Sequence, residues 1–107
     1  MLPKDRPPTP AGEKLLKEFL EPIGMTQKAF AEHLGWTYAR LNEIVNNRRG
    51  VTAESALCFA EALGTTPEFW LKLQQQYDLW EKSQDHVPVK MLSVLKKNKK
   101  LAVARRK

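Results

Sequence analysis

Apolar residues in this chain recur three and four positions apart in five separate runs, and nowhere alternate one-in-two over the length of a strand. The first run is Leu15, Leu16, Phe19 and Leu20; Thr9 stands where it would cap a helix with Pro10 at its first position, and Pro22 and Gly24 would end it. The second, Ala29, Phe30, Ala31 and Leu34, predicts a helix over Gln27–Leu34 between a Thr26 cap and Gly35. The third, Leu41, Ile44 and Val45, predicts a helix over Tyr38–Asn46 capped by Thr37. The fourth puts Ala56, Leu57, Phe59, Ala60 and Leu63 on one broad side of a helix that starts at Thr52 and stops at Gly64. The fifth opens at Thr66-Pro67-Glu68 and runs to about Lys82, with Phe69, Leu73, Tyr77 and Trp80 on one side, Trp70 beside them, and Leu71 and Leu79 elsewhere. The expected fold is all-α, five helices with short connections.

The second and third helices are separated only by Gly35, Trp36 and Thr37, which is the spacing of a helix-turn-helix. Ala31 is small enough for two helices to cross closely, and Trp36 is expected to plug the turn. In such a motif the second helix enters the major groove of DNA and the start of the first meets the backbone. Gln27 and Lys28 then lie where the amide or ammonium can meet a phosphate, and the polar turn Asn46–Gly50 offers Arg48 and Arg49 for the same purpose.

Charge changes this picture in one respect. Up to Lys82 there are 10 Lys+Arg against 11 Asp+Glu, a net −1; from Ser83 on there are 8 against 1, a net +7. Phosphate binding on the body must therefore be local, at Lys28, Arg40, Arg48 and Arg49, while the C-terminal segment carries the bulk of the positive charge. The chain divides into an extended proline-rich arm (1–10), a helix-turn-helix DNA-binding and dimerisation domain (11–82) and a basic tail (83–107). The tail reads as a solvated end, as an arm adding non-specific DNA affinity, or as a short helix packing on a partner.

Catalytic chemistry has no foothold. His33 and His86 are far apart, no phosphate loop or nucleophile elbow occurs, and Asp78 and Glu81 read as a solvated face. Cys58, the single cysteine, falls opposite the apolar side of its helix and is expected to be a reduced, partly exposed thiol without a role; no metal or cofactor is expected. No run approaches the ~20 apolar residues of a membrane span, and the first residues have no apolar core of a signal peptide, so a cytoplasmic protein is expected.

The ordered set of motifs resembles a known family. Met25–Arg49 is similar to the lambda-repressor-like (XRE-type) helix-turn-helix. Arg40-Leu41-Asn42-Glu43-Ile44-Val45-Asn46, Gly50-Val51-Thr52-Ala53-Glu54-Ser55-Ala56-Leu57 and Pro67-Glu68-Phe69-Trp70-Leu71-Lys72-Leu73-Gln74 together resemble the HigA-type antitoxins of bacterial toxin–antitoxin modules, over roughly residues 7–82. The resemblance implies that Tyr38, Ala39, Asn42 and Glu43 face the groove and that Thr37 and Arg40 reach the backbone. Arg40 is alternatively a reader of guanine. HigA-type sequences often carry Arg and Asn where this chain has Tyr38 and Ala39, so its operator is its own. The resemblance further implies a homodimer on double-stranded operator DNA and a HigB-type toxin, a RelE-like mRNA-cleaving ribonuclease, that the antitoxin neutralises. Phe69, Trp70, Leu73, Tyr77 and Trp80 offer more apolar area than one small core needs and are the expected dimer interface. Glu13, Glu18 and Glu21 are either a solvated face or a surface for a basic toxin. A stand-alone regulator and a protein-interaction module without DNA binding remain the alternatives.

Overall fold

A computed structural model describes residues 6–97; Met1–Asp5 of the proline-rich arm and Asn98–Lys107, with most of the tail's cations, lie outside the described residues. Within them the chain is all helical: α1 (Ala11–Lys14, continued without a break by π-helical turns over Leu15–Leu20), α2 (Gln27–Leu34), α3 (Tyr38–Val45), α4 (Ala53–Leu63), α5 (Pro67–Ser83) and a short α6 (Ser93–Lys97). The sixth helix is the short helix that one of the three readings of the tail allows, and it takes no part in the main helix–helix contacts among the described residues.

Four threonines start four helices by the same local chemistry. Thr26, Thr37, Thr52 and Thr66 each accept, through Oγ1, the backbone N–H three residues on, at 3.1, 3.2, 3.3 and 3.2 Å. At α4 the cap is reciprocal: Ser55 Oγ accepts the Thr52 N–H at 2.8 Å, which satisfies the one polar side chain buried in the core among the described residues. Gly35 and Gly64 end α2 and α4 at φ 76° and 72°, backbone that a side chain would strain. The start of α1 differs from expectation. Pro10, not Thr9, occupies the cap position, and it makes no side-chain cap; its carbonyl accepts the Lys14 N–H at 3.1 Å, so the proline's missing N–H is lost where none is needed. The π turns space hydrogen-bonded residues five apart, as in Glu21 N–H to Leu16 C=O at 2.9 Å, and bring Leu15 and Leu20 to the same inner side, both wholly buried.

The core gathers Leu15, Leu20, Phe30, Ala31, Leu41, Ile44, Val45, Val51, Ala56, Phe59, Ala60 and Trp70. Two expectations fail here. Leu57 is 50% exposed: it lies ~100° around α4 from Ala56, at the edge of the buried arc, and nothing covers it. Trp70 was expected at a dimer interface, but its indole is 0% exposed within one chain. It packs on Phe19, Phe59 and Phe69, with ring centroids 5.1, 5.3 and 4.9 Å away, and its Nε1–H donates to Thr65 Oγ1 at 2.7 Å. Phe69 and Leu73 are half-buried against the same core.

α1 meets α3 backbone to backbone. Gly12 is buried so closely against the C-terminal turn of α3 that a Cβ on it would lie 1.8 Å from the Ile44 carbonyl oxygen and 2.8 Å from the Val45 Cα. Neither neighbour is a flexible side-chain end, so the helices would have to part. Gly12→Ala is therefore expected to lower stability by about 1–3 kcal/mol, read as a fall in the thermal unfolding midpoint; an unchanged midpoint would show that α1 is free to shift.

Candidate nucleic-acid interface

α2 and α3 form the expected helix-turn-helix, and their outward surface is a polar lattice. Asn42, in the middle of α3, is its hub. Its Nδ2 donates to Gln27 Oε1 at 3.0 Å and to the Tyr38 hydroxyl at 3.2 Å, and its Oδ1 accepts from Asn46 Nδ2 at 3.0 Å. Tyr38, Asn42 and Asn46 stand four apart on one strip of the helix, and Gln27 joins them from the first residue of α2. The structure thus brings Gln27, Tyr38 and Asn42 together, and Asn42 is half-buried by that role. Ala39 is exposed beside them, and Tyr38 is 52% exposed.

The charged residues divide into committed and uncommitted ones. Glu43 receives both Nε and Nη2 of Arg49 on one oxygen, Oε1, at 2.8 and 2.7 Å, a close ion pair that braces the turn after α3. The backbone N–H groups of Arg48 and Arg49 both donate to the Glu43 carbonyl, at 2.8 and 3.2 Å. Arg40 lies apart from this group: its guanidinium stacks over Trp36 at 3.8 Å from the ring centroid and approaches Glu54 of α4 at 3.5 Å. Trp36 is half-buried rather than a sealed plug, because Arg40 forms its outer lid while Phe59, 5.5 Å away, backs the inner face. Lys28 and Arg48 are exposed and pair with no acidic side chain among the described residues. Thr37 is exposed, its hydroxyl oxygen engaged by the Arg40 N–H.

One residue that fixes this surface escaped the sequence reading. Gln74 of α5 accepts the Val51 N–H through Oε1 at 2.7 Å and donates through Nε2 to Asp78 at 2.9 Å. It lies 3.2 Å from where a Cβ on Gly50 would stand. Gln74 therefore anchors the end of the Arg48–Arg49 turn to the last long helix. A glutamine on a helix looks like any solvated residue; only the fold shows the loop arriving beside it. The remaining members of the apolar set on α5, Tyr77 and Trp80, are half-buried and pack on each other at 5.9 Å.

Nothing in the described residues suggests another chemistry. No three of their His, Cys, Asp and Glu side chains converge as for a metal ion, and no helix among them is long and apolar enough to cross a membrane. Cys58 is half-buried and His33 exposed. On α1, Lys14–Glu18 and Lys17–Glu21 form ion pairs at 3.2 and 3.6 Å, so Glu18 and Glu21 are partly neutralised on their own helix.

Comparison with known proteins agrees with the geometry. A helix-turn-helix family model matches residues 16–70. The Antitoxin HigA-1 of Vibrio cholerae is 48% identical over 77 residues, which cover 71% of this chain and 71% of that protein. The solved structure of antitoxin GraA superposes with a TM-score of 0.75 at 38% identity, covering 81% of this chain and 99% of that one. A Pseudomonas aeruginosa protein solved in complex with its 18-bp operator DNA superposes with a TM-score of 0.76 at 28% identity, covering 81% of this chain and 98% of that one.

If Gln74 holds the turn, Gln74→Ala removes an acceptor worth about 1 kcal/mol. Hydrogen exchange at the Val51 amide is then expected to quicken roughly fivefold while amides in the α2 interior stay protected.

Proposed function

The chain belongs to the helix-turn-helix family that includes the HigA antitoxins, and we propose that it binds operator DNA as a dimer, represses its own operon and neutralises a HigB-type ribonuclease toxin. The observation that carries the DNA-reading part is the surface of α3. Tyr38 and Ala39 stand exposed at its N-terminal end, their backbone fixed by the Thr37 cap and their flank by the Gln27–Asn42–Asn46 lattice, while Lys28 of α2 and Arg48 of the turn after α3 are exposed and outside the ion pairs of the described residues. An interface ordered before it meets DNA loses less side-chain entropy on binding. In this reading Tyr38 and Ala39 contact bases, Tyr38 with its ring edge and hydroxyl and Ala39 with a thymine methyl. Lys28, Arg48 and the cap at Thr37 contact phosphates. Asn42 and Gln27 hold the readers in place, Glu43 and Arg49 brace the turn, and Arg40 is spent on Trp36 and Glu54. Operator binding by a relative at 28% identity and the antitoxin role of one at 48% support the reading.

Mobility shifts on the DNA upstream of the gene, run against non-specific competitor, test it. Tyr38→Ala is expected to reduce discrimination between operator and competitor about tenfold, within the range of a single base-pair contact. Lys28→Ala and Arg48→Ala are each expected to weaken binding to all sequences alike and to lower the slope against log salt by about one. Arg40→Ala is expected to leave the preferred half-site unchanged; a relaxed preference would return Arg40 to base reading. Absence of any preference for the upstream DNA would sink the repressor reading. The toxin arm is tested separately: if a small basic protein is encoded beside this gene, its expression alone is expected to arrest growth and co-expression of this chain to restore it.

A further inference from the structure

The helix-turn-helix side of the body is short of free positive charge. Of its cations, Arg49 is paired with Glu43 at 2.7 Å, and Arg40 is held by Trp36 and, at 3.5 Å, by Glu54. Lys28 and Arg48 are left outside the ion pairs of the described residues. Residues 1–82 carry a net charge of −1. Each phosphate neutralised adds about 0.9 to the slope of log affinity against log salt, and proteins whose binding is steeply salt-dependent hold about 6–10 of them. Two such residues per chain fall well short of that. The missing charge lies beyond α5, where residues 83–107 hold eight Lys and Arg against one acid, Asp85.

The fold delivers that charge to the edge that lacks it. Arg48, Arg49 and Gly50 line an open groove of about 370 Å³ together with Tyr77, Asp78 and Glu81 of α5. The two acids balance the two arginines, so the body itself adds little net attraction for phosphate at this edge. α5 ends at Ser83, two residues past Glu81, and the chain therefore leaves the body beside the turn that carries Arg48. Residues 84–92 are exposed and outside any helix, and Val87-Pro88-Val89 in their middle favours extended backbone. Nine extended residues reach up to about 30 Å. One turn of duplex is about 34 Å long. Resting on the reading of the chain as an operator binder, we propose that the segment beyond α5 is a second DNA-binding element, an arm that lays its basic run, Lys96, Lys97, Lys99 and Lys100, on phosphates next to the half-site. Exposed Val87, Val89 and Leu92 precede that run and belong to the spacer. Lysines act on phosphates as point charges and read no base edges, so the arm supplies affinity on any duplex and leaves discrimination to α3.

The full chain carrying Lys96→Gln, Lys97→Gln, Lys99→Gln and Lys100→Gln tests the arm, since it loses charge and keeps its length. It is expected to lower the slope of log affinity against log salt by about three for each chain bound, equally on operator and on unrelated duplex. The ratio of the two affinities and the thermal unfolding midpoint are expected to stay as in the native chain. A second measurement locates the arm. Ser93→Cys in a Cys58→Ser background, labelled with an iron chelate that cleaves nearby strands, is expected to cut the operator within about one helical turn of the half-site. An unchanged slope, a fall confined to the operator, or cleavage no different from that by free chelate overturns the proposal. Anionic vesicles that hold the native chain and release the four-lysine variant, with the DNA slope unchanged, overturn it in favour of a membrane surface. A native chain with no preference for the upstream DNA, whose slope still falls in the variant, sinks the operator reading and leaves the arm as a general duplex binder. A preserved preference with an unchanged slope overturns the arm alone.

Discussion

A tryptophan with no contact to water holds this small fold in one piece. Trp70 lies edge-on to Phe59 and Phe69 and tilted to Phe19; Phe59 in turn touches Phe30 of α2 and Trp36 of the turn. The rings therefore run from α1 and α5, through α4, into the helix-turn-helix. A chain of this size buries a limited apolar area, and large aromatic surfaces make the most of it. The indole N–H would be a costly orphan in that setting, and the bond to Thr65 removes the cost. Loss of the ring would leave a void at the place where three helices and the turn meet.

The same economy shapes the outer surface. Two arginines that look like phosphate ligands in the sequence have partners inside the molecule: Arg49 on Glu43, Arg40 on Trp36. Hydrogen bonds to Asn42 likewise tie Gln27 and Tyr38 into one sheet of polar side chains. Order in this surface comes from side chains that bond to one another and so hold a common arrangement.

Much of the fold was legible because its signals are local. A threonine before an apolar run, answered by an N–H three residues later, needs no knowledge of the rest of the chain, and four of the five expected caps formed, Thr9 alone giving way to Pro10. Gly35 and Gly64 marked helix ends for the same reason. The features that escaped are those set by distant segments. Gly12 reads as an ordinary small residue until α3 arrives against it, and Gln74 as a solvated one until Val51 does. Helical periodicity grouped Phe69, Trp70 and Leu73 correctly but could not say whether their shared side meets this chain's core or another's. It put Leu57 in the core because it counts residues on an arc and cannot see where the neighbouring helices stop. On the outer surface of α3, the sequence did not reveal which side chains pair with one another, because those pairings span fifteen or fewer residues and several partners could have made them.

The backbone contact at Gly12 bears on how such a protein diversifies. The base of α3 is seated by Ile44 and Val45 against α1, while Tyr38 and Ala39 project from its other end without touching the core. The positions that seat α3 and the positions it exposes are thus carried by different residues of one short helix. Drift at two exposed sites changes the face that α3 presents and leaves the scaffold untouched, so that duplicated copies in one genome are free to part ways.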